Sequence, residues 1–330
     1  MLEKPDLPDQ LIISRLQDGY GLQVRRLTFL PIGADVNTAV FRVDTEDGTA
    51  YFLKLRKGDF DEITVAVPQF LKAQGIRSII APLETKARQQ WTCLDAFKLI
   101  LYPFIEGQDG YELALTDRQW QVFGAALKSI HTVHVLPALA RRIPRESYSP
   151  QWRALVKTFQ AQIEEIAFDD PVAAKLAALM QSKRGEIDYL VARAEALGVA
   201  LQSRSLDMVL CHSDLHAGNL LIGRDGSLYI VDWDNPTFAP KERDLILIGG
   251  CYEWNSPRAE SLFYQGYGQA EIDRIALAYY RYERIIQDIV VFCQQLLLTG
   301  AGGQDRERAF MYFASQFLPN HEVEIAIRTE

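Results

Sequence analysis

Residues 211–222 of the chain have the sequence CHSDLHAGNLLI, and residues 229–234 have the sequence YIVDWD. The first stretch places a carboxylate, Asp214, in a polar loop after an apolar segment, and an amide, Asn219, five residues later. An apolar strand, an Asp-Gly turn and a second apolar strand then lead to another carboxylate, Asp232. A hairpin of this length brings Asp232 back beside Asn219.

These three side chains offer two kinds of chemistry. The carboxylate of Asp214 can accept the proton of a hydroxyl group. The amide of Asn219 and the carboxylate of Asp232 can hold a hard cation through oxygen. An aspartate in a catalytic loop, an asparagine five residues on and a further metal-binding aspartate form the arrangement that kinases use for phosphoryl transfer. The alternative is a polar loop that only caps a strand.

The pattern H-x-D-L-H-x-G-N, followed by V-D-W-D, resembles the aminoglycoside phosphotransferase and small-molecule kinase family. In this comparison, the residues HSD at 212–214 replace the His-Arg-Asp of protein kinases, and DWD at 232–234 replaces Asp-Phe-Gly. The resemblance extends over about residues 24–300.

The resemblance implies an α+β, protein-kinase-like bilobal fold. Its β-rich N-terminal, nucleotide-binding lobe would comprise residues 1–106, and its mainly helical C-terminal lobe residues 107–330. The family uses ATP and Mg²⁺. By resemblance, Asp214 is the catalytic proton acceptor, and Asn219 and Asp232 are the magnesium ligands.

The composition limits the classes of protein that the chain can belong to. A hydrophobic content of 48% and a charged content of 24% over 330 residues predict a packed globular protein. The net charge of −8 disfavours a nucleic-acid partner and weakly favours a cationic ligand. The four cysteines are widely spaced, which suits a reducing cytosol. Without a signal peptide or an apolar run of membrane-spanning length, the sequence predicts a cytoplasmic protein and no membrane partner.

The N-terminal third contains strand patterns at residues 24–30, 39–44 and 49–56. A turn between the first two strands can direct backbone N–H groups toward nucleotide phosphates. This turn contains Gly33 but no full G-x-G-x-x-G pattern, so an ordinary hairpin remains an alternative. Asn37 occupies a position where the resembled family often has asparagine, which favours nucleotide binding.

Lys54 lies inside the apolar strand pattern at residues 51–56. A buried ammonium is costly unless it meets an anion, and in kinases the lysine of this strand contacts the α- and β-phosphates. The alternative is a lysine whose charged end reaches solvent. Its expected partner is an acid on the next helix, and Glu62 is the best candidate by reach. Asp59 and Asp61 remain alternatives, because Glu62 lies only eight residues past Lys54.

A strand pattern at residues 97–105 contains a proline at 103 and is followed by a glycine at 107. By resemblance to the kinase hinge, Tyr102 is the gatekeeper. The carbonyl of Pro103 and the N–H of Ile105 would then hold the adenine edge. An edge strand that simply ends at these residues is an equally good local interpretation.

From Thr116 onward the pattern is mainly helical, with long helices expected over residues 149–166 and 171–197. Asp244 is expected to cap a helix or anchor a loop. Asp234 could reach the metal through water or stabilise its turn. The short segment after residues 232–234 leaves no room for a protein-kinase activation segment, which argues against a protein substrate.

The terminal helices are aromatic and acidic. In the resembled family the acceptor lies between such helices and the catalytic loop, so Trp254, Glu283 and Asp288 are candidate acceptor contacts. Aromatic residues at helical spacing more often belong to the core. Carboxylates and flat rings would suit a small cationic aminocyclitol.

The sequence thus predicts an ATP-dependent phosphotransferase that modifies a hydroxyl of an aminocyclitol antibiotic. Resemblance over the whole chain indicates spectinomycin as the acceptor and antibiotic resistance as the outcome. A kinase for a sugar, choline or homoserine is one alternative. A nucleotide-binding pseudokinase is another, although no obligate protein partner is evident.

Overall fold

The structure is a computed structural model that describes residues 4–33, 37–252, 254–300 and 303–329. The chain forms two compact units, and each is made of two separate stretches of sequence. One unit comprises Met1–Ile143 with His216–Pro236, and the other comprises Pro144–Leu215 with Thr237–Glu330.

The strands of the described residues are, in chain order, β1 (Val24–Leu30), β2 (Thr38–Thr45), β3 (Ala50–Lys57), β4 (Thr92–Leu94), β5 (Phe97–Pro103), β6 (Gly107–Asp109), β7 (Val209–Cys211), β8 (Leu220–Gly223), β9 (Leu228–Ile230) and β10 (Thr237–Ala239). The helices of the described residues are α1 (Asp9–Tyr20), α2 (Ile63–Ala73), α3 (Asp117–Thr132), α4 (Pro137–Ala140), α5 (Gln151–Glu165), α6 (Pro171–Ser182), α7 (Arg184–Gln202), α8 (Glu242–Leu245), α9 (Pro257–Tyr267), α10 (Arg274–Leu297), α11 (Gly303–Ser315) and α12 (Glu322–Arg328).

The first unit is built on an antiparallel sheet with the strand order β1-β2-β3-β5-β4. Strand β3 is central, and its Lys54 lies opposite Val40 of β2 and Ile100 of β5. Because side chains alternate along a strand, the register of β3 assigns every second residue to one face of the sheet.

One face of this sheet forms a hydrophobic core with helix α1. Leu53 and Leu55 of β3 are fully buried there, together with Ile12 and Leu16 of α1. Lys54 lies between the two leucines in sequence and therefore belongs to the other face. The packing of α1 thus determines which face of the sheet presents Lys54.

A smaller sheet with the order β6-β8-β9 completes the first unit. Strand β6 pairs with β8, and the N–H of Ile230 in β9 donates to the carbonyl of Ser78 at 2.8 Å. Helix α3 contacts β9 as well. The predicted lobe boundary between residues 106 and 107 therefore falls inside this unit, because β6 and α3 pack with the hairpin of β8 and β9.

The second unit is mainly helical, and helix α10 lies at its centre. This helix packs against α5, α6, α7, α11 and α12. Gly198 allows close packing of α7 on α10, since a Cβ at this position would lie 3.1 Å from the Cε2 of Tyr279. The short strands β7 and β10 pair antiparallel in the same unit.

The predicted α+β architecture is confirmed, with an antiparallel sheet in the N-terminal region and helices in the C-terminal region. The long helix expected over residues 171–197 is instead divided into α6 and α7 at Lys183, whose ψ of 10° departs from helical values. Among the described residues, no helix combines the length and the apolar character that crossing a membrane requires.

The core between α1 and the sheet gives a test of the fold. Replacing the fully buried Leu16 with alanine should lower the free energy of unfolding by about 2–5 kcal/mol, since it removes apolar contacts and leaves a cavity. Leu11→Ala on the same helix is the control, because Leu11 is 44% exposed and its loss should cost about 0.5 kcal/mol or less. Urea denaturation followed by circular dichroism measures both, and equal losses would contradict the packing of α1.

Candidate active site

The hairpin of β8 and β9 places the predicted metal ligands side by side in the first unit. Leu220 lies opposite Ile230, and the N–H of Val231 donates to the carbonyl of Asn219 at 3.0 Å. The predicted return of Asp232 toward Asn219 is confirmed by this register. The adjoining ends of the two strands therefore carry an amide and a carboxylate, which are types of oxygen donor that a hard cation such as Mg²⁺ prefers.

The backbone at Asp232 has an unusual conformation. Its φ of 63° lies in the left-handed region, which residues other than glycine seldom adopt. The next side chain, Trp233, is buried and donates from Nε1 to the carbonyl of Ile230 at 3.2 Å. This bond ties the residue after Asp232 back to β9 and so supports the sharp change of direction.

Lys54 is the centre of an ion-pair cluster within the first unit. Its Nζ lies 2.8 Å from Oδ1 of Asp232 and 2.9 Å from Oδ2 of Asp234. Arg56 also contacts Asp234, with Nη1 at 2.8 Å from the same Oδ2. Burial disfavours the charged form of Lys54, but Coulomb attraction to the two aspartates is stronger and raises the pKa of its ammonium.

The structure does not bring Lys54 and the predicted partner Glu62 together. In the described residues, Lys54 pairs with Asp232 and Asp234, and Glu62 pairs with Nη2 of Arg142 at 3.1 Å. Glu62 immediately precedes helix α2, at its exposed N-terminal end, and its side chain is 52% exposed. The predicted pair of Lys54 and Glu62 is therefore corrected. Glu62 is so close to Lys54 in sequence that it lies before the first turn of α2 and not within the helix.

Gly33 and Asn37 flank a part of the predicted phosphate-binding turn, residues 34–36, that lies outside the described residues. Gly33 has a φ of +89°, which favours glycine at this position. The carbonyl of Asn37 accepts a hydrogen bond from the N–H of Lys57 at 2.9 Å, at the end of β3. A role for Gly33 and Asn37 in phosphate binding stays a prediction.

The predicted adenine-binding residues lie at the end of β5. Tyr102 is opposite Phe52 of β3, and their ring centroids are 6.4 Å apart. Burial raises the pKa of the Tyr102 phenol, so its hydroxyl stays protonated. Pro103 is the last residue of β5, and Ile105 lies between β5 and β6. Their contact with adenine stays a prediction.

In the second unit, Asp214 follows strand β7 in a loop whose backbone is fixed by Asp244. The two carboxylate oxygens of Asp244 each accept an N–H, from His212 and from Ser213, at 2.7 Å. Ser213 has a φ of 72°, so this loop contains a left-handed residue other than glycine. Asp244 is buried, and its predicted role as a loop anchor is confirmed by these bonds.

The carboxylate of Asp214 itself is held by helix α10. Nη1 of Arg284 donates to Oδ1 of Asp214, and Nε of Arg284 lies 3.0 Å from Oδ1 of Asp288. Burial disfavours the charged form of Arg284, but attraction to Asp288 and Asp214 outweighs it and raises the pKa of the guanidinium. Asp288, predicted as an acceptor contact, is thus placed next to Asp214 through one arginine.

The other two predicted acceptor contacts are buried. Glu283 pairs with Nη1 of Arg153 at 2.5 Å, and its side chain is 10% exposed. Trp254 is 4% exposed. The assignment of Glu283 and Trp254 to the acceptor stays a prediction, and their burial and the internal ion pair count against it.

Four residues of these clusters were assigned no pairing role by the sequence alone. Arg56 lies two residues after Lys54 on the same strand face, so strand periodicity could have found it. Arg284 and Asp288 are four residues apart on α10, which is the spacing of a helical ion pair. No sequence signal pointed to Asp234 as a partner of Lys54, because their contact joins residues 180 positions apart.

Comparison with known proteins shows that the chain is similar to enzymes of phosphoryl transfer. A family model described as the phosphotransferase enzyme family matches residues 28–282. The chain belongs to this family, which confirms the predicted resemblance and the prediction of a phosphotransferase.

Solved structures with similar folds include two of spectinomycin phosphotransferase, APH(9)-Ia. The one in complex with ADP and spectinomycin is 40% identical to this chain, has a TM-score of 0.92 and is matched over 99% of both chains. The AMP-bound one is also 40% identical, with a TM-score of 0.87 over 97% of this chain and 98% of that one. An amicoumacin kinase with a TM-score of 0.61 is 17% identical over 98% and 94% of the two chains, and shares the fold.

The buried Glu283 should make stability depend on pH. Burial raises the pKa of its carboxyl from 4.5 to about 7, although Arg153 opposes this shift. The folded protein therefore binds this proton more tightly than the unfolded chain. The resulting stabilisation is fully present below pH 4.5 and is lost as the pH rises through about 7.

Glu283→Gln removes this titration. Relative to the wild type, the variant should gain up to about 3 kcal/mol of unfolding free energy between pH 4.5 and pH 8. Urea denaturation across this pH range measures the difference. Glu195→Gln, at an exposed surface ion pair, is the matched control and should follow the wild type. A Glu283→Gln curve parallel to the wild-type curve would contradict the raised pKa.

Proposed function

We propose that this protein transfers the γ-phosphate of ATP to a hydroxyl of an aminocyclitol antibiotic, spectinomycin, and so confers resistance. The observation that carries the phosphoryl-transfer part is the 2.8 Å contact between Lys54 and Asp232. It joins the candidate phosphate-binding lysine to the candidate metal-binding carboxylate. The 40% identity over 99% of the chain to a protein crystallised with ADP and spectinomycin supports the acceptor.

In this proposal the first unit holds the nucleotide. Lys54 contacts the α- and β-phosphates, as the strand lysine does in kinases. Tyr102, Pro103 and Ile105 line the adenine position at the end of β5. Asp234 keeps Lys54 charged and directed away from the hydrophobic face of the sheet, because it lies 2.9 Å from the ammonium.

Asn219 and Asp232 would hold a Mg²⁺ ion, whose charge would offset that of the phosphate oxygens. The donor set fits this ion: one neutral amide oxygen and one carboxylate. Asp232 is 47% exposed at its side chain, which leaves it accessible to a hydrated cation. Asp232 contributes charge and should therefore matter more for metal affinity than the neutral Asn219.

Asp214 accepts the proton of the acceptor hydroxyl. The hydroxyl oxygen forms a bond to the γ-phosphorus, the bond between that phosphorus and the β,γ-bridging oxygen breaks, and ADP leaves with that electron pair. Because the transition state is loose, the proton moves late and Asp214 needs little basicity. Its main task is to direct the hydroxyl oxygen toward the phosphorus.

The charge distribution supports a cationic acceptor. In the second unit, Asp214 and Asp288 provide two carboxylates for one arginine, so this cluster keeps an excess of acidic groups although Asp288 is paired with Arg284. Spectinomycin-like aminocyclitols carry amines that are largely protonated near neutral pH. The net charge of −8 adds a weak attraction for such a ligand.

Replacing Asp214 with alanine should reduce kcat by about 10²–10⁴, the usual effect of losing a positioned proton acceptor. The KM for ATP should change little, since the residues proposed to bind the nucleotide are elsewhere. Steady-state kinetics with saturating ATP and spectinomycin measure both constants. Asp207→Ala, at an exposed aspartate before β7, is the control. Retention of most of kcat in Asp214→Ala would remove Asp214 from the mechanism.

The acceptor is tested by measuring ATP consumption with spectinomycin, a sugar, choline and homoserine, after subtraction of hydrolysis without acceptor. We expect the highest kcat/KM with spectinomycin, and weaker binding as salt is added. In a susceptible bacterial host, the wild type but not Asp214→Ala should raise the inhibitory concentration of spectinomycin. A higher kcat/KM for any of the other three would leave a small-molecule kinase with a different acceptor. No acceptor-dependent turnover in the panel would favour the pseudokinase.

A further inference from the structure

Helix α10 contributes one arginine to the loop that contains Asp214. Arg284 donates from Nη1 to Oδ1 of Asp214, while its Nε lies 3.0 Å from Oδ1 of Asp288, one helical turn farther along. The side chains of Arg284, Asp214 and Asp288 are 28%, 31% and 29% exposed, so the three charges are partly screened from water.

We propose that Arg284 is a positioning residue for phosphoryl transfer, which holds the carboxylate of Asp214 ionised and in a fixed orientation. Asp288 in turn fixes the guanidinium of Arg284. This inference rests on the proposed role of Asp214 as proton acceptor. It assigns Asp288 to the support of Asp214 and not to direct recognition of the acceptor.

The planar geometry of the Arg284 guanidinium explains how its contact with Asp288 fixes the orientation of the Asp214 carboxylate. Its N–H donors form a rigid, planar fork, so a contact of Nε with Asp288 determines the direction in which Nη1 points. Without such a contact a carboxylate rotates easily, because its terminal side-chain torsion has a broad range of allowed angles. The bond from Nη1 to Oδ1 restricts this rotation, and so the remaining carboxylate oxygen of Asp214 keeps one direction.

The backbone of the loop is fixed by other groups. Asp244 accepts the N–H groups of His212 and Ser213 at 2.7 Å, and the N–H of Asp214 donates to Nδ1 of His212 at 3.3 Å. Loss of Arg284 should therefore remove one restraint on the side chain of Asp214 and leave the loop backbone in place. This separates a positioning role from a purely structural one.

The positive charge of Arg284 beside Asp214 is compatible with the proposed role of Asp214 in phosphoryl transfer. A neighbouring cation favours the ionised form of a carboxylate and weakens it as a base. A loose transition state with late proton transfer tolerates a weak base but needs the nucleophile well aligned. The arginine thus keeps Asp214 ready to accept a hydrogen bond from the acceptor hydroxyl at lower pH.

The test compares Arg284→Gln, Arg284→Lys and Asp288→Asn with Arg274→Gln, which changes an exposed arginine at the start of the same helix. We expect Arg284→Gln to lower kcat by about 10–100-fold, since a small misplacement of a catalytic group has effects of this size. The KM for ATP and the melting temperature should stay near wild type. Arg284→Lys should restore part of kcat, because it keeps the charge but not the fork.

Two further readouts distinguish positioning from structure. In an Asp214→Asn background, Arg284→Gln should cause no further loss of kcat, because its effect acts through the ionised Asp214. The acid limb of the kcat–pH profile should move to higher pH in Arg284→Gln, since the carboxylate loses its neighbouring cation. Arg284→Lys gives the same double-variant test if Arg284→Gln is poorly folded.

Multiplicative losses in the double variant, an unchanged acid limb, or a kcat equal to that of Arg274→Gln would each overturn the inference. These outcomes differ from failure of the proposed function. A wild-type kcat in Asp214→Asn alone would remove Asp214 as proton acceptor. The kinetics use whichever acceptor of the panel gives the highest kcat/KM, so a different acceptor would not affect the test of Arg284.

Discussion

The ion pairs of the Lys54 ammonium with the carboxylates of Asp232 and Asp234 are the interaction on which the first unit of this protein depends. A charge inside an apolar strand is tolerated because two opposite charges lie within 2.9 Å of it. The packing of α1 on the alternate residues of β3 forces Lys54 onto the face where these carboxylates lie. The hairpin of β8 and β9 brings the carboxylates there, since the short strand pairing returns the chain next to Asn219. Fold and chemistry are thus linked through one side chain.

Much of this arrangement could be predicted, because it depends on local periodicity and on short connections. The hairpin that joins Asn219 to Asp232 follows from two apolar strands separated by an Asp-Gly turn, and the structure confirms it. The strand position of Lys54 follows from alternation in the same way. Its partner could not be predicted by reach along the chain. Glu62 is near in sequence but stands at the exposed start of α2, whereas Asp234 is distant in sequence and adjacent in space.

The helical region shows a different limit. The sequence shows that Glu283, Asp288 and Trp254 are acidic or aromatic, and resemblance made them candidate acceptor contacts, but neither shows which of them have internal partners. In the structure Glu283 pairs with Arg153 and Asp288 with Arg284, because helices packed around α10 bring together residues far apart in the chain. The break between α6 and α7 was not predicted from the sequence either. The break lies at Lys183, and lysine is compatible with a helix, whereas Gly185, which disfavours a helix, lies inside α7.

The division of the chain into two compact units has a consequence for how such genes can recombine. Residues 216–236 carry Asn219 and Asp232, yet they belong to the same unit as residues 1–143. Neither unit is therefore encoded by one uninterrupted segment. A single crossover at residue 143 would combine strand β3, which carries Lys54, from one parent gene with residues 232–234 from the other. The ion pairs of Lys54 with Asp232 and Asp234 would then join residues from two different parents. Exchanging the whole first unit between two related genes requires two further crossovers, one before residue 216 and one after residue 236.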